Sequence, residues 1–266
     1  MHGVCLFSTA FFDGSVVTSA RSAPLRTILL DIEGTTTSLN FVHQVLFPYA
    51  RSHVQAFVER HGALADVERD LNALREQNLE DARRGLDPPA LRKDQAGESL
   101  VAYVQWLIDR DRKSTPLKSL QGKIWEEGYK SGELRSQVFE DVPLALERWR
   151  EQKRTVSIFS SGSVLAQKLL FGHSTAGDLT PYLSSYFDTT VGSKTDPSSY
   201  QKIASALESS TLEIVFISDM TSELDAAKAA GFQTLLCLRP GNRPQPVNTY
   251  NCIRSLAEVC RGHKPR

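Results

Sequence analysis

The sequence predicts an α/β fold in which a doubly wound parallel sheet carries an all-helical insertion. Short apolar runs rich in β-favouring residues recur along the chain, and each ends in small or polar residues. Segments of helical periodicity separate most of these runs, which is typical of a parallel sheet covered by helices on both faces. The alternation stops from about residue 41 to 136, where only helical patterns occur. That interval predicts an inserted helical domain.

The runs that predict strands, in chain order, are TILLD, TVSIFSS, YFDTTVG, EIVFISD and QTLLCLR. Between or beside them, helices are predicted for PLALERWREQ, SVLAQKLLF, SYQKIASAL and SELDAAKAAG. After the last run, RPGNRP predicts a surface turn. Ligands of open parallel sheets bind at the carboxyl ends of the strands, so polar residues that follow these runs are candidates for a site.

The predicted organisation has three parts. A Rossmann-like core is assigned to residues 26–40 and 137–266, and the helical insertion to residues 41–136. Within the insertion, LVAYVQWLIDR and the stretch from Leu117 to Tyr129 follow helical spacing, and their tryptophans are expected to be packing residues. Residues 1–25 are expected to be a disordered extension.

Composition excludes several function classes. The chain has 266 residues, of which 41% are hydrophobic, and its 31 basic and 31 acidic residues give a net charge of zero. No nucleic-acid partner is expected without a basic excess, and no membrane partner without an apolar stretch of spanning length. The four cysteines show no C-x-x-C spacing and no pairing pattern, and the N-terminus has no convincing signal peptide, so a reducing, cytoplasmic location is expected. A small molecule is the expected partner and a monomer the expected state.

Two acids follow the first predicted strand, in the order Asp31-Ile32-Glu33-Gly34. Alternate residues of an extended chain point the same way, so both carboxylates are able to face one site, and Gly34 permits a tight turn. The alternative is a strand followed by an ordinary capping or turn carboxylate.

Three later segments add polar groups at strand ends. Ser160 and Ser161 precede a predicted helix, where hydroxyl and backbone N–H groups bind anions or simply cap the helix. Lys194 is either a phosphate-neutralising cation or a solvated loop lysine. Asp219 ends the fourth strand and Glu223 follows it in the first turn of a helix; with Asp31 and Glu33 they offer the oxygen ligands that Mg²⁺ prefers.

Taken together and in this order, these segments resemble the haloacid dehalogenase-like superfamily of phosphohydrolases. The resemblance implies that Asp31 is the nucleophile that forms an aspartyl-phosphate and Glu33 the general acid/base. It also implies that Ser160, Ser161 and Lys194 bind the phosphate and that Glu223 supports the site. One Mg²⁺ per subunit would be bound by Asp31, Asp219 and the Glu33 backbone carbonyl. The helical insertion would be a cap over the site.

The superfamily's usual second acid is aspartate, whereas this chain has Glu33. The stretch ILLDIEGTTTSLNFVHQVLFPYA, with SSGSVLAQKLLFGHSTAGDL and YFDTTVGSKTDPSSYQKIA, resembles the enolase-phosphatase (acireductone synthase) family of methionine salvage. This implies enolisation and then dephosphorylation of 2,3-diketo-5-methylthiopentyl-1-phosphate. Two alternatives stay open: a phosphatase for another sugar or nucleotide monophosphate, and a catalytically silent binding module on the same fold. The base that removes the carbon-bound proton also stays open.

Overall fold

The computed structural model describes residues 24–246 and 249–260. The extension predicted for residues 1–25 therefore lies, apart from its last two residues, outside the described residues. The sheet is parallel and six-stranded, in the order β3-β2-β1-β4-β5-β6, which confirms the predicted fold class. Its strands are β1 Thr27–Leu30, β2 Thr155–Phe159, β3 Ser185–Phe187, β4 Ile214–Ser218, β5 Gln233–Cys237 and β6 Cys252–Ile253.

Helices account for most of the remaining chain. Between β1 and β2 the order is α1 Leu39–Phe41, a π-helix Val42–Leu46, α2 Phe47–His61, α3 Ala65–Arg83, α4 Ala96–Asp109, α5 Thr115–Ser131 and α6 Asp141–Glu151. After β2 come α7 Val164–Gly172, α8 Pro197–Ala206 and α9 Thr221–Ala229. Short 3₁₀ turns lie at Lys93–Gln95, Thr180–Tyr182, Thr211–Glu213 and Leu256–Glu258. In the described part of the chain, no helix is long and apolar enough to cross a membrane.

Alternation of side chains along the strands divides the core between the two faces of the sheet. Ile28 and Leu30 pack into a large apolar cluster that extends through α6 and α7 into the helices between α1 and α5. Leu29 points to the opposite face, into a second cluster formed with α8 and α9. All three side chains are fully buried, which explains why the strand is uniformly apolar rather than alternating.

The strand order places a topological switch point between β1 and β4. The chain proceeds from β1 outward through β2 to β3 and then returns to the other side of β1 with β4. Connections on the two sides diverge there, which leaves a crevice at the carboxyl ends of the two strands. Asp31 directly follows β1 and Asp219 directly follows β4, so both acids lie at this crevice.

The helices from α2 to α5 pack mainly on one another, with α2 against α4 and α3 against α5. A buried polar network links them to the loop between α4 and α5. Asp81 accepts hydrogen bonds from the Tyr103 hydroxyl (2.8 Å) and from the Arg112 guanidinium (3.0 Å). A buried carboxylate needs such partners, so this network fixes the loop that leads into α5. The α5 helix in turn contacts α7 of the core.

Candidate active site

A tight loop after β1 presents the two acids. The Asp31 N–H donates to Ile217 O (2.9 Å), and the Ile32 carbonyl accepts from the backbone N–H groups of Thr35, Thr36 and Thr37. Gly34 N–H closes the loop by donating to Thr37 O (2.8 Å). These bonds fold residues 31–37 into one compact turn at the carboxyl end of β1.

Gly34 is required by both backbone conformation and space. Its φ is +73°, a left-handed conformation that side chains disfavour. A Cβ atom there would lie 2.4 Å from Asp219 Oδ2 and 2.9 Å from Asn242 Oδ1. The absence of a side chain therefore allows the loop after β1 to approach the acid at the end of β4.

The segment after β5 donates hydrogen bonds to this loop, and the sequence did not predict these contacts. Arg239 donates through Nε to Thr35 O (3.1 Å) and through Nη1 to Asp141 Oδ2 (2.9 Å), and its residue is 8% exposed. Asn242 donates to Gly34 O (2.9 Å). The prediction that RPGNRP forms a surface turn was therefore wrong for Arg239, because the hydrogen bonds of the buried guanidinium reach residues distant in sequence.

Lys194 lies at the centre of a buried ion cluster. Its Nζ is 2.5 Å from Asp31 Oδ1 and 2.7 Å from Glu223 Oε2. Burial alone would lower the pKa of Lys194, but the two carboxylates outweigh it and raise the pKa. The Tyr200 hydroxyl donates to the Lys194 carbonyl (2.7 Å), which fixes the backbone at this point. Lys194 is thus a buried, charged lysine and not a solvated loop residue.

The site has more acids than compensating cations. Burial, Asp31 and Glu223 raise the pKa of Asp219 to about 7. Burial and Asp31 likewise raise the pKa of Glu223 to about 7, and the pKa of Glu33 is raised by the same two causes. Such shifts are typical of carboxyl groups gathered for chemistry or for a cation.

The donors that face this crevice are of the type a hard cation binds. Among the described residues, no three His, Cys, Asp or Glu side chains form a closed metal cage. The predicted ligand set needs only two side-chain carboxylates, those of Asp31 and Asp219, together with one backbone carbonyl.

The loop before α7 supplies hydroxyl and amide groups. Ser160 is buried, and its Oγ accepts from the Gly162 N–H (3.2 Å). Ser163 caps the helix by accepting from the Ala166 N–H (3.3 Å). The Ser161 carbonyl accepts from Lys118 Nζ (2.9 Å), which ties this loop to α5. The Ser160 and Ser161 side chains therefore lie at the same crevice beside the start of α7, whose first N–H, that of Val164, already donates to Asp188 Oδ2 (3.3 Å).

All seven residues predicted for the site line one cavity, which we call the polar chamber. Its walls include Asp31, Glu33, Ser160, Ser161, Lys194, Asp219 and Glu223. Arg243 and His43, which sequence reasoning did not single out, also line it.

A second cavity, the apolar chamber, adjoins the first. The two share Glu33, Ser160, Ser161, Asp111 and Lys113, so these residues form the junction between them. Beyond the junction the apolar chamber is lined mainly by hydrophobic side chains, which include Val42, Leu46, Phe47, Trp125, Tyr129 and Leu170. The combined cavity therefore suits a ligand that is anionic at one end and apolar at the other.

The π-helix shapes the apolar chamber. Val42 and Leu46, at its two ends, point into that chamber, whereas His43 faces the polar one. Trp125 Nε1 donates to the Leu46 carbonyl (2.8 Å), which fixes the turn. Trp125, expected only to pack, therefore also lines the candidate site. Short π-helical turns occur frequently at functional sites.

Comparisons with known proteins show which family this chain resembles. A family model for haloacid dehalogenase-like hydrolases matches residues 25–231. The enolase-phosphatase E1 of Synechococcus elongatus is 51% identical over 238 residues, which cover 88% of this chain and 98% of that protein. The enolase-phosphatase E1 of Drosophila melanogaster is 46% identical over 218 residues, with 82% and 84% covered.

A solved structure shows the same fold. The crystal structure of the UTR4 protein from Saccharomyces cerevisiae superposes with a TM-score of 0.69 at 35% sequence identity, and the match covers 87% of this chain and 98% of that one. With the family model and the two relatives, this establishes that the chain belongs to the haloacid dehalogenase-like hydrolases and, within them, to the enolase-phosphatase family.

Proposed function

We propose that this protein is a bifunctional enolase-phosphatase of methionine salvage. It enolises 2,3-diketo-5-methylthiopentyl-1-phosphate and then removes the phosphate, which gives the acireductone 1,2-dihydroxy-3-keto-5-methylthiopentene. The observation that carries the proposal is the pair of joined chambers, one charged and one apolar, that meet at Glu33. Relatives named enolase-phosphatase E1, 51% identical over nearly their whole length, support the same function.

The two ends of this substrate match the two chambers. The phosphate fits the polar chamber, where Lys194 and the hydroxyl groups of Ser160 and Ser161 offer donors. The methylthioethyl end fits the apolar chamber, where its burial is favourable by about 0.8 kcal/mol for each methylene group. A sugar or nucleotide monophosphate, the alternative substrate, would place hydroxyl groups against these apolar walls and leave them without hydrogen-bond partners.

One Mg²⁺ per subunit fits the polar chamber, with Asp31, Asp219 and the Glu33 carbonyl as its ligands. The structural support is the surplus of buried carboxyl groups and the raised pKa of Asp219, because an acid cluster of this kind is relieved by a cation. When bound, the ion supplies positive charge that offsets repulsion between the phosphate and the attacking carboxylate.

The residues of the chain carry the chemical steps. The Asp31 carboxylate attacks phosphorus, the bond from phosphorus to the ester oxygen breaks, and Glu33 in its acid form protonates the leaving oxygen. Glu33 then takes a proton from the water that hydrolyses the aspartyl-phosphate. Burial and Asp31 raise the pKa of Glu33, which favours the acid form that protonates the leaving oxygen.

We also infer that residues 41–136 act as a cap over a core of residues 26–40 and 137–266. The π-helix, α5 and the loop before α5 line both chambers, so they would exclude water from the enolisation step and select the apolar end of the substrate. A monomer in the cytoplasm, with no nucleic-acid or membrane partner, completes the proposal.

The test compares substrates and a variant. The purified protein with Mg²⁺ is given the diketo-phosphate, a sugar monophosphate and a generic aryl phosphate, and phosphate release is measured. We expect the highest kcat/KM for the diketo-phosphate and loss of phosphate release in Asp31→Asn with the fold retained. Preference for the sugar phosphate would favour a different phosphatase, no release from any substrate would favour a binding module, and near-normal turnover by the variant would exclude Asp31 as the nucleophile.

A further inference from the structure

Enolisation requires a group that stabilises negative charge on a substrate oxygen, and the phosphate-binding groups do not supply it. Removal of a proton from C1 of the diketo-phosphate places negative charge on the C2 oxygen, and enzymes stabilise such an oxyanion with a positioned donor or cation. This inference rests on the proposed function, because that function places the phosphate in the polar chamber and the thioether in the apolar one. The C2 and C3 carbonyl groups lie between these ends and therefore fall near the junction.

Most cations around the two chambers already have a carboxylate partner. Lys194 pairs with two acids, and Arg112 and Lys113 each pair with one, at 3.0 and 2.9 Å. Lys118 lines the apolar chamber directly beside the junction, and no carboxylate forms an ion pair with it in the part of the chain that the structure describes. A lysine in this position has charge available for a ligand.

The surroundings of Lys118 hold its ammonium group in place. Nζ donates to the Ser161 carbonyl (2.9 Å) and makes a longer contact with Thr189 Oγ1 (3.4 Å), which leaves one of its three donors for the cavity. Lys118 lies in the first turn of α5, where Ser114 caps the helix and accepts from the Lys118 N–H through its carbonyl (3.0 Å). Burial and the neighbouring Lys113 lower the pKa of Lys118, which eases proton donation.

We propose that Lys118 is a catalytic residue of the enolisation, in which it donates a hydrogen bond and then a proton to the C2 oxygen. The C1–H bond breaks and its proton passes to the Glu33 carboxylate. The electron pair left on C1 forms the C1=C2 double bond, and the π electrons of the C2 carbonyl move to its oxygen. That oxygen takes a proton from the Lys118 ammonium, and the Glu33 proton returns through solvent to Lys118. The net change is ketone to enol, with no oxidation or reduction.

The test uses Lys118→Met, which keeps the length and apolar stem of the side chain but removes both the hydrogen-bond donor and the charge. We measure turnover of the diketo-phosphate, turnover of an aryl phosphate and the isotope effect with C1-deuterated diketo-phosphate. Loss of an oxyanion donor typically lowers the rate by about 100-fold. We therefore expect turnover of the diketo-phosphate, and not of the aryl phosphate, to fall by that factor. The isotope effect should be larger than in the wild type. Lys118→Arg, which keeps the charge, should recover part of this loss. Lys130→Met is the matched control, at an exposed lysine in the last turn of the same helix.

Three results would overturn the assignment. Diketo-phosphate turnover within threefold of the wild type would show that Lys118 is dispensable. Equal losses on both substrates, with an unchanged isotope effect, would show that it acts only through the structure of the Ser161 loop. Hydrolysis of the aryl phosphate by a wild-type protein that never enolises the diketo-phosphate would remove the proposed function itself, and the role of Lys118 with it.

Discussion

Replacement of Lys194 by methionine tests the charge balance of the site. Lys194 is 8% exposed, and its ammonium lies 2.5 Å from Asp31 Oδ1 and 2.7 Å from Glu223 Oε2. Methionine keeps the length and apolar stem of the side chain but leaves two buried carboxyl groups without their counter-ion. Removal of one partner from a buried ion pair costs about 3–5 kcal/mol.

The loss depends on pH in a defined direction. The pKa of Glu223 is already about 7 in the presence of Lys194, and removal of the cation raises this pKa further. When the pKa of an acid is higher in the folded than in the unfolded state, the folded protein loses stability as the pH rises from the unfolded-state pKa to the folded-state pKa. We therefore expect the full loss at pH 8, a drop in Tm of roughly 10 °C for a chain of this size. At pH 5, where Glu223 is protonated, we expect about half of it.

Thermal unfolding of the metal-free protein at both pH values measures this. Lys202→Met is the matched control, because Lys202 is exposed on α8 and its Nζ donates to the Val191 carbonyl (3.2 Å). A Tm change below 2 °C, or an equal change at pH 5 and pH 8, would refute the conclusion that Lys194 balances these acids.

Three further predictions follow from the same loop and acids. Gly34→Ala introduces a Cβ atom 2.4 Å from Asp219 Oδ2, and the Asp219 carboxylate must therefore move. We expect a kcat/KM about 100-fold lower, with a loss of only about 1–2 kcal/mol in the free energy of unfolding. Unchanged kinetics would refute the close approach of the two loops. Mg²⁺ should raise the Tm more at pH 8 than at pH 5. The pKa of Asp219 rises from 3.8 to about 7 in the folded protein, and above pH 7 this shift costs the metal-free protein about 4 kcal/mol of stability. An equal rise in Tm at the two pH values would contradict this. Glu33→Gln should lower kcat by 10²–10⁴-fold on a poor leaving group and far less on an aryl phosphate; equal losses would contradict the general-acid role.

The sequence predicted the sheet and the acids at its edge for one physical reason. Strands buried on both faces are continuous apolar runs, and a charged residue marks where each run leaves the core, as at Asp31 and Asp219. The β6 strand was not predicted, because a two-residue strand such as Cys252–Ile253 has no measurable period.

Residues that act across the fold could not be found in this way. Arg239 and Asn242 reach the loop after β1 over more than 200 residues of chain, and nothing local distinguishes them from an exposed turn. Trp125 and Lys118 lie on one amphipathic helix, where the same periodicity describes a packing residue and a residue that lines a cavity. The π-helix gave no signal, because its residues continue the helical pattern on both sides.

The central claim is that one site performs two reactions on one substrate, and one experiment tests it most directly. Wild-type protein with Mg²⁺ is mixed with the diketo-phosphate, and the ultraviolet absorbance of the enol and the released phosphate are followed in the same sample. We expect the enol, quantified from its absorbance, and the released phosphate to reach equal molar amounts, with no phosphate before the enol has formed. Phosphate release without enol absorbance would show a plain phosphatase and contradict the account.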